Sequence, residues 1–492
     1  MGRPARFEPL PGTFGPKIGV FGFPVSGGRL PAGIFKLQPG KWVAFFLLIL
    51  CWGCTPSRTL PPSVEKRFNY TPSVAAKYTV NEEWWKVYED KELDRVVALG
   101  LANNIDYARA AVQVNLALYR ARRLGADLVP VFSGSGDASA RKNTKTGERS
   151  VRTFDAELSV TYEIDLWRKL ADSVSAMEWE HKATEEDRAV ARLALINNTI
   201  DAYFNLAYLN AAMAATRRSI DNYSRLAEAI KTKQRFGKAD ALEVELADSS
   251  LLDAEANLID LEVQNKTAAQ TLQILLNISP EAALPLRLPD ILAYQTPEVN
   301  LDVPVAVLAR RPDLKAAEFR LQKAFKDLSA AYKSLYPAVS LRGILSSSSD
   351  RARTMLDVPF ALGGISIDLP FLQWNAVRWD IKISEAEYDL LRLDFEKSIT
   401  AALHEVDLAW FNYASSRRDM ANAAQRHKHD LRISGYYRTR YELGKAELSD
   451  WLSALNTAVQ SELDLLRSRY QTLLFETAVY KAMAGRYTQY PQ

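Results

Sequence analysis

Residues 156–165 read AELSVTYEID, and residues 362–371 read LGGISIDLPF. In the first stretch Ala156, Leu158, Val160, Tyr162 and Ile164 are apolar or aromatic. Glu157, Ser159, Thr161, Glu163 and Asp165, which alternate with them, are polar. Strict period-two alternation is the mark of a β-strand with two unlike faces. About ten residues is also the length of a strand that crosses a bilayer. In the second stretch Ile365, Ile367, Leu369 and Phe371 are expected on one face, with Ser366 and Asp368 on the other. Residues 129–136 and 338–346 read as partner strands, each beside a proline (Pro130, Pro337) that suits a strand start. Polar stretches 137–153 and 347–361 are the expected loops of two hairpins.

The period then changes. After Trp167 there is no Gly or Pro until Gly237, and after Trp374 none until Gly435 and Gly444. Ala, Leu, Glu, Lys and Arg dominate these runs, which predicts helices over 168–236 and 375–443. At 1.5 Å per residue such helices reach roughly 90–100 Å, far beyond ordinary globular helices. Each reverses at a Gly-Lys-Ala turn, Gly237-Lys238-Ala239 and Gly444-Lys445-Ala446. Asp240 with Glu243 reads as a capping box opening the return helix. Return helices are expected over 240–278 and 446–484.

These features repeat. Sliding the sequence by 207 residues brings Asp106 onto Asp313, Pro130 onto Pro337, Trp167 onto Trp374 and Gly237 onto Gly444. The predicted organisation is repeat 1 over 92–279, a proline-rich linker over 280–304 and repeat 2 over 305–486. Each repeat opens with a helix, 92–125 in the first. Residues 54–91 form an N-terminal linker or equatorial segment, of which 55–80 is expected to be extended.

Residues 42–52, WVAFFLLILCW, follow Lys36 and Lys41 and precede Gly53-Cys54. This reads as a signal peptide over residues 1–53: a basic flank, a short apolar core and a small residue before the cut. The apolar core is too short for a spanning helix. Residues 1–35 fit no targeting signal and read as a misassigned start, with Leu37 as a non-AUG initiator. The Gly53-Cys54 junction resembles a bacterial lipobox, which makes Cys54 the expected acylation site. Thr55 after it, by the same resemblance, permits sorting to the outer membrane. The chain's two cysteines are Cys51 and Cys54, so a mature protein starting at Cys54 is expected to lack disulfides and Cys-based metal sites. The formal net charge of +3 gives no argument for nucleic acid.

Four strands cannot close a barrel, since small barrels need about eight. Open sheet edges in lipid leave backbone groups unsatisfied. Membrane strands of this kind must therefore be shared among several chains, with the long, charge-rich helices outside the bilayer. The order strand, long helix, glycine turn, helix, twice over, resembles the TolC-like outer-membrane efflux factors of Gram-negative bacteria. YEIDLW at 162–167, SLYPAVSLRG at 334–343 and IDLPFLQWNAVRWD at 367–380 resemble the lipoprotein branch serving resistance-nodulation-division (RND) pumps. That resemblance implies an α+β membrane protein built as a homotrimer. Its barrel of twelve transmembrane strands, four per chain, would continue into a periplasmic helical barrel. It implies a periplasmic adaptor and an inner-membrane RND-type pump as partners. It places the two Gly-Lys-Ala turns at the adaptor-docking tip. Many relatives carry carboxylates before the second turn that narrow the closed end. Arg438, Arg440 and Glu442 stand there in this chain, beside Tyr437 and with Asp430 two turns up, so an Arg-based gate network is the alternative.

No P-loop, G-x-S-x-G or metal-spaced cluster is present, and no cofactor is expected. His427 and His429 are two apart on a helix and do not face each other. The remaining readings are a duct for type I protein secretion, a non-channel structural protein of the envelope, and an envelope enzyme, which the absent catalytic constellation disfavours. One outcome is testable without a structure. Mass spectrometry of the mature protein should find a lipid on Cys54 and none of residues 1–53; an unmodified terminus elsewhere refutes acylation.

Overall fold

The computed structural model describes residues 59–147, 149–282, 285–295, 299 and 304–489. Cys54 and the signal segment lie outside the described residues. The elements run in chain order α1 (Val64–Arg67), α2 (Pro72–Lys77), β1 (Tyr78–Asn81), α3 (Lys91–Asn103), α4 (Ile105–Gly125), β2 (Val131–Arg141), β3 (Val151–Ile164), α5 (Lys169–Arg235) and α6 (Ala241–Leu275). They continue as α7 (Pro312–Lys333), β4 (Ala338–Ser349), β5 (Pro359–Asp368), α8 (Trp374–Glu442), α9 (Leu448–Ala482) and β6 (Arg486–Gln489).

The four long strands form one antiparallel sheet in the order β2-β3-β4-β5. Its register sorts the side chains. Phe132, Leu158 and Val160 share a face with Leu341, Leu345, Ile365 and Ile367. Ser133, Glu157, Ser159, Thr161, Ser340, Arg342 and Ser366 lie on the other, where the Ser133 and Ser159 hydroxyls hydrogen-bond at 2.7 Å. The cross-strand pair Ile344 and Leu362 interrupts this polar face. The hairpins of the two repeats have one register: subtracting 207 from both members of each β4–β5 pair returns a β2–β3 pair.

Several elements differ from the sequence expectation. The first hairpin is longer, because Asp137–Arg141 pair with residues 151–155. Likewise β4 reaches Ser349, and the second loop spans 350–358. β5 stops at Asp368, so Leu369 and Phe371 lie beyond it; Pro370, without an N–H, opens a short 3-10 turn there. The helix expected over 92–125 breaks at Asn104. This residue is extended, its side-chain oxygen accepts from the Tyr107 N–H at 2.9 Å, and its amide donates to the Leu275 carbonyl at 3.0 Å. The stretch 55–80 is not an extended linker where described. Ser63 and Thr71 cap α1 and α2, Pro72 starts the latter, and β1 pairs with β6 at the other end of the chain.

α5 and α8, at 67 and 69 residues, leave the sheet and return as α6 and α9. Trp167 fastens the first strand-to-helix junction: its indole N–H donates to the Pro337 carbonyl at 2.8 Å, and it stacks on Tyr336 at 4.8 Å. One turn on, Asp172 accepts from Lys326 (3.1 Å), Ser329 (2.6 Å) and Lys333 of α7. Burial alone would raise its pKa, but these donors outweigh it and hold the carboxyl below its usual range. The main core lies farther along the helices, where the linkers wrap them. Trp84 lies tilted against Tyr480 at 5.0 Å, and Tyr88, Phe204 and Tyr294 meet edge-on or tilted. The Tyr203 and Tyr294 hydroxyls both donate to Asp90, at 2.9 and 3.3 Å. Arg469 of α9 points into the linker and donates to the Ile291 (3.2 Å) and Tyr294 carbonyls. Burial pushes Asp201 up to about 6, against the Thr477 hydroxyl that donates to it at 2.9 Å.

The register makes a prediction. With the apolar face toward lipid, Val160→Arg or Ile367→Arg should reduce assembly into the membrane, at about 2–4 kcal/mol per midplane arginine. Ser159→Arg and Ser366→Arg should assemble better and change conductance instead. Equal assembly loss on both faces, scored as protein recovered in outer membranes, would refute the assignment.

Candidate functional site

Among the described residues, the open sheet edges on β2 and β5 and the exposed helix tips where α5 turns into α6 and α8 into α9 are the candidates.

At the tips the backbone explains the glycines. Gly237 and Gly444 have φ of +68° and +70°, the left-handed region that glycine enters without a Cβ penalty. In the first turn the Gly237 N–H donates to the Gln234 carbonyl at 2.8 Å and the Lys238 N–H to the Lys233 carbonyl at 2.9 Å. In the second, Gly444 donates to Tyr441 at 3.0 Å and Lys445 to Arg440 at 2.8 Å. Both are Schellman caps, which satisfy the last free carbonyls of a helix. Each return helix then opens with a cap. The Glu243 N–H donates to Asp240 at 2.8 Å, and the Glu447 N–H to Asp450 at 3.3 Å. Beneath the turns, Tyr223, Ile230, Leu448 and Leu452 are buried together, with Trp451 5.5 Å from Tyr441. Burial pushes the Tyr223 hydroxyl up to about 12, with Asp253 adding to the shift.

Gly237, Lys238, Gly444 and Lys445 are exposed, while Ala239 and Ala446 tuck partly under the turns. The residue in front of each glycine went unread in the sequence. Phe236 is 75% exposed and Leu443 64%. They occupy the same repeat position, and an apolar residue there in both copies was the available signal.

The five residues expected near a gate divide into separate contacts. The Arg438 guanidinium donates to Glu442 at 2.9 Å, one turn on. Arg440 donates to the Lys445 carbonyl at 2.9 Å and lies over Tyr436 at 5.7 Å, so it closes its own turn. Tyr437 meets Tyr436 edge-on at 5.8 Å. Asp430 joins none of them. It sits 3.9 Å from Arg426, which also pairs with Asp464. Within one protomer, then, Asp430 and Tyr437 are not partners of Arg438 or Arg440, because two helical turns separate Asp430 from them and Arg426 lies nearer.

His427 contacts the Ser461 hydroxyl at 3.1 Å. Among the described residues no three His, Cys, Asp or Glu side chains gather to hold a metal, and no helix is long and apolar enough to cross a membrane. A cavity of about 460 Å³ beside Arg469, lined by Tyr294, Tyr413, Met420 and Thr472, holds no catalytic grouping.

Comparison with known proteins agrees with this anatomy. The profile of the family described as "Outer membrane efflux protein" matches residues 96–277 and 303–485, one stretch per repeat. "Toxin and drug export protein A" of Aggregatibacter actinomycetemcomitans is 42% identical over 423 residues, covering 86% of this chain and 93% of that protein. "Pyoverdine export outer membrane protein OpmQ" of Pseudomonas aeruginosa is 27% identical, covering 82% and 87%. Among solved structures, CusC superimposes with a TM-score of 0.77 at 20% identity, covering 87% of this chain and 99% of that one. The CmeC outer membrane channel of Campylobacter jejuni gives 0.74 at 23%, covering 88% and 94%. At these identities the structural likeness is one of fold. The profile spans both repeats and a relative above 40% identity runs nearly end to end, and on that ground the chain belongs to the outer membrane efflux protein family.

Proposed function

We propose that three copies of this chain form the outer-membrane channel of a tripartite efflux pump. Three sheets would close into one barrel of twelve strands, and the long helices would wall a periplasmic tunnel continuous with it. The observation that carries this reading is the two-faced sheet with open edges at β2 and β5. An apolar face suits lipid and a polar face suits a water-filled lumen, while open edges in lipid cost several kcal/mol per unpaired group until another sheet covers them. The chain carries no nucleotide-binding motif, so energy would come from an inner-membrane pump, of the RND type, through a periplasmic adaptor. Drugs and other small molecules are the proposed substrates, and the Cys54 lipid is the proposed second anchor. The name of the relative "Toxin and drug export protein A" favours a second reading, a duct for protein toxins. A deletion strain separates the two: accumulation of small drugs without loss of secreted proteins supports efflux, and the reverse supports secretion. Purified protein that never conducts in planar bilayers would leave only a structural role in the envelope.

The turns at Gly237-Lys238-Ala239 and Gly444-Lys445-Ala446 are the proposed adaptor-docking surface, with Phe236 and Leu443 as its apolar contacts. Gly444→Trp should abolish efflux while trimer level and outer-membrane location stay unchanged. Gly444→Asn, which tolerates the left-handed cap, should retain efflux. Equal loss of efflux in both variants, at normal trimer level, would argue against docking at this turn.

For the gate, Arg438, Arg440, Tyr437, Glu442 and Asp430 remain the candidates. Arg440 holds the last turn of α8 through the Lys445 carbonyl. Arg440→Ala should therefore loosen the closed end and raise single-channel conductance. Unchanged conductance in Arg438→Ala, Arg440→Ala and the double variant would remove both arginines from the gate.

A further inference from the structure

Among the described residues, the apolar face of the sheet carries one charged side chain, Arg152. On β3 that face runs through Ile164, Tyr162, Val160, Leu158, Ala156 and Phe154 and then reaches Arg152, with Ala140 of β2 opposite. The residues that share the face on β2, β4 and β5 are all uncharged.

The depth of Arg152 follows from strand geometry. From Phe154 to Ile164 the chain advances ten residues, or about 34 Å along an extended strand. A tilt of about 40° leaves about 26 Å along the membrane normal, which matches the apolar band of an outer-membrane barrel, about 25 Å. Arg152 stands one pleat beyond that band, at headgroup height. A guanidinium on a lipid-facing surface is tolerated at that level because its stem lies along apolar side chains and its head reaches water.

Three more cations lie between the strands that Arg152 helps to close. Lys142, Lys145 and Arg149 are exposed, and among the described residues no hydrogen bond or ion pair engages their side chains or that of Arg152. Residues 142–152 hold these four cations and a single carboxylate, Glu148. The other hairpin lacks the feature. Adding 207 to the four positions gives Ser349, Ala352, Leu356 and Pro359. Its own charges balance, as Asp350, Arg351, Arg353 and Asp357, and Arg351 lies 4.0 Å from Asp350. Solubility of an exposed loop is met by either composition. Unpaired charge of one sign at headgroup height calls for anions.

We infer that the β2–β3 hairpin end binds the phosphates of a phosphorylated glycolipid in the outer leaflet. Arg149 and Arg152 offer planar forks that match phosphate oxygens two at a time, and Lys142 and Lys145 add point charges. A zwitterionic phospholipid brings its own ammonium to its phosphate, whereas a glycolipid with phosphate monoesters and no amine leaves its charge for the protein. The inference rests on the channel reading, which turns the apolar face to lipid and the hairpin ends outward, and it adds a lipid partner that this reading does not require.

The full-length protein in phosphatidylethanolamine nanodiscs, doped with equal amounts of bisphosphorylated, monophosphorylated and dephosphorylated lipid A, tests it by native mass spectrometry. Lipid retained should rise with phosphate count. Lys142→Ser, Lys145→Ser, Arg149→Ser and Arg152→Ser should each lower retention of the bisphosphorylated form about fivefold, the worth of one cation beside an anionic surface. Arg351→Ser/Arg353→Ser in the other hairpin should leave it unchanged. Lys142→Ser/Lys145→Ser, outside the strands, carries the test should Arg152→Ser fail to assemble. Retention that ignores phosphate count, or that falls equally in the Arg351/Arg353 variant, overturns the inference. Orientation is read separately, by peptide mapping of Lys142 and Lys145 after intact cells meet a membrane-impermeant amine reagent. Labelled lysines without phosphate-dependent retention sink the lipid site alone; lysines labelled only after lysis sink the channel reading with it.

Discussion

A strand in hydrocarbon has no water to satisfy its N–H and C=O groups, so each must find another strand. In this chain β3 and β4 have neighbours on both sides, and β2 and β5 each have one. The rest of the architecture follows from that shortage. Four strands are too few to close on themselves, so in lipid the proposed assembly would have to complete the sheet. The polar and apolar faces would then be divided between lumen and lipid by the two-residue period alone. Below the sheet the constraint is relaxed, and helices satisfy their own backbone while carrying charge on almost every turn.

The parts legible in sequence were those that a period or a missing residue type encodes. Alternation at 156–165 disclosed β3, and the absence of Gly and Pro after Trp167 and Trp374 disclosed α5 and α8. The repeat was legible because Gly-Lys-Ala recurs at one offset. Strand ends were less so, since Asp137–Arg141 are too polar to look like strand and pair only because Val151–Asp155 lie opposite. The break at Asn104 depends on the Leu275 carbonyl, which lies far away in sequence. Pairing of β1 with β6 joins the two ends of the described chain and has no local signature.

At the tips the turns were legible in the sequence, and of the side-chain contacts within one protomer only the Arg438–Glu442 pair was. A glycine followed by a cap residue is a local code, and the Schellman bonds at Gly237 and Gly444 express it. Side-chain pairing is not local in that way. Glu442 goes to Arg438 because one helical turn separates them, and Asp430 goes to Arg426 for the same reason. Arg440 spends its reach on its own turn rather than on a carboxylate. Phe236 and Leu443 were passed over because a lone apolar residue in a polar turn carries no pattern until both repeats are superimposed.

The Asp172 cluster has a thermodynamic consequence. Its lysines belong to the same chain as its carboxylate, so closing that contact is intramolecular and happens at a high effective concentration. The ion pairs act there beside the Trp179–Phe319 contact at 5.5 Å and the buried Ala176 and Ala183. Two separate protomers lose translational and rotational freedom when they join, a cost of about 4–15 kcal/mol, which surface ion pairs of ~1 kcal/mol or less could not offset. At the equivalent positions stand large apolar side chains instead, Trp379 and Tyr119, 64% and 65% exposed. The duplicated positions have thus diverged from an ion-paired cluster to exposed aromatic side chains, and salt should weaken the Asp172 contacts.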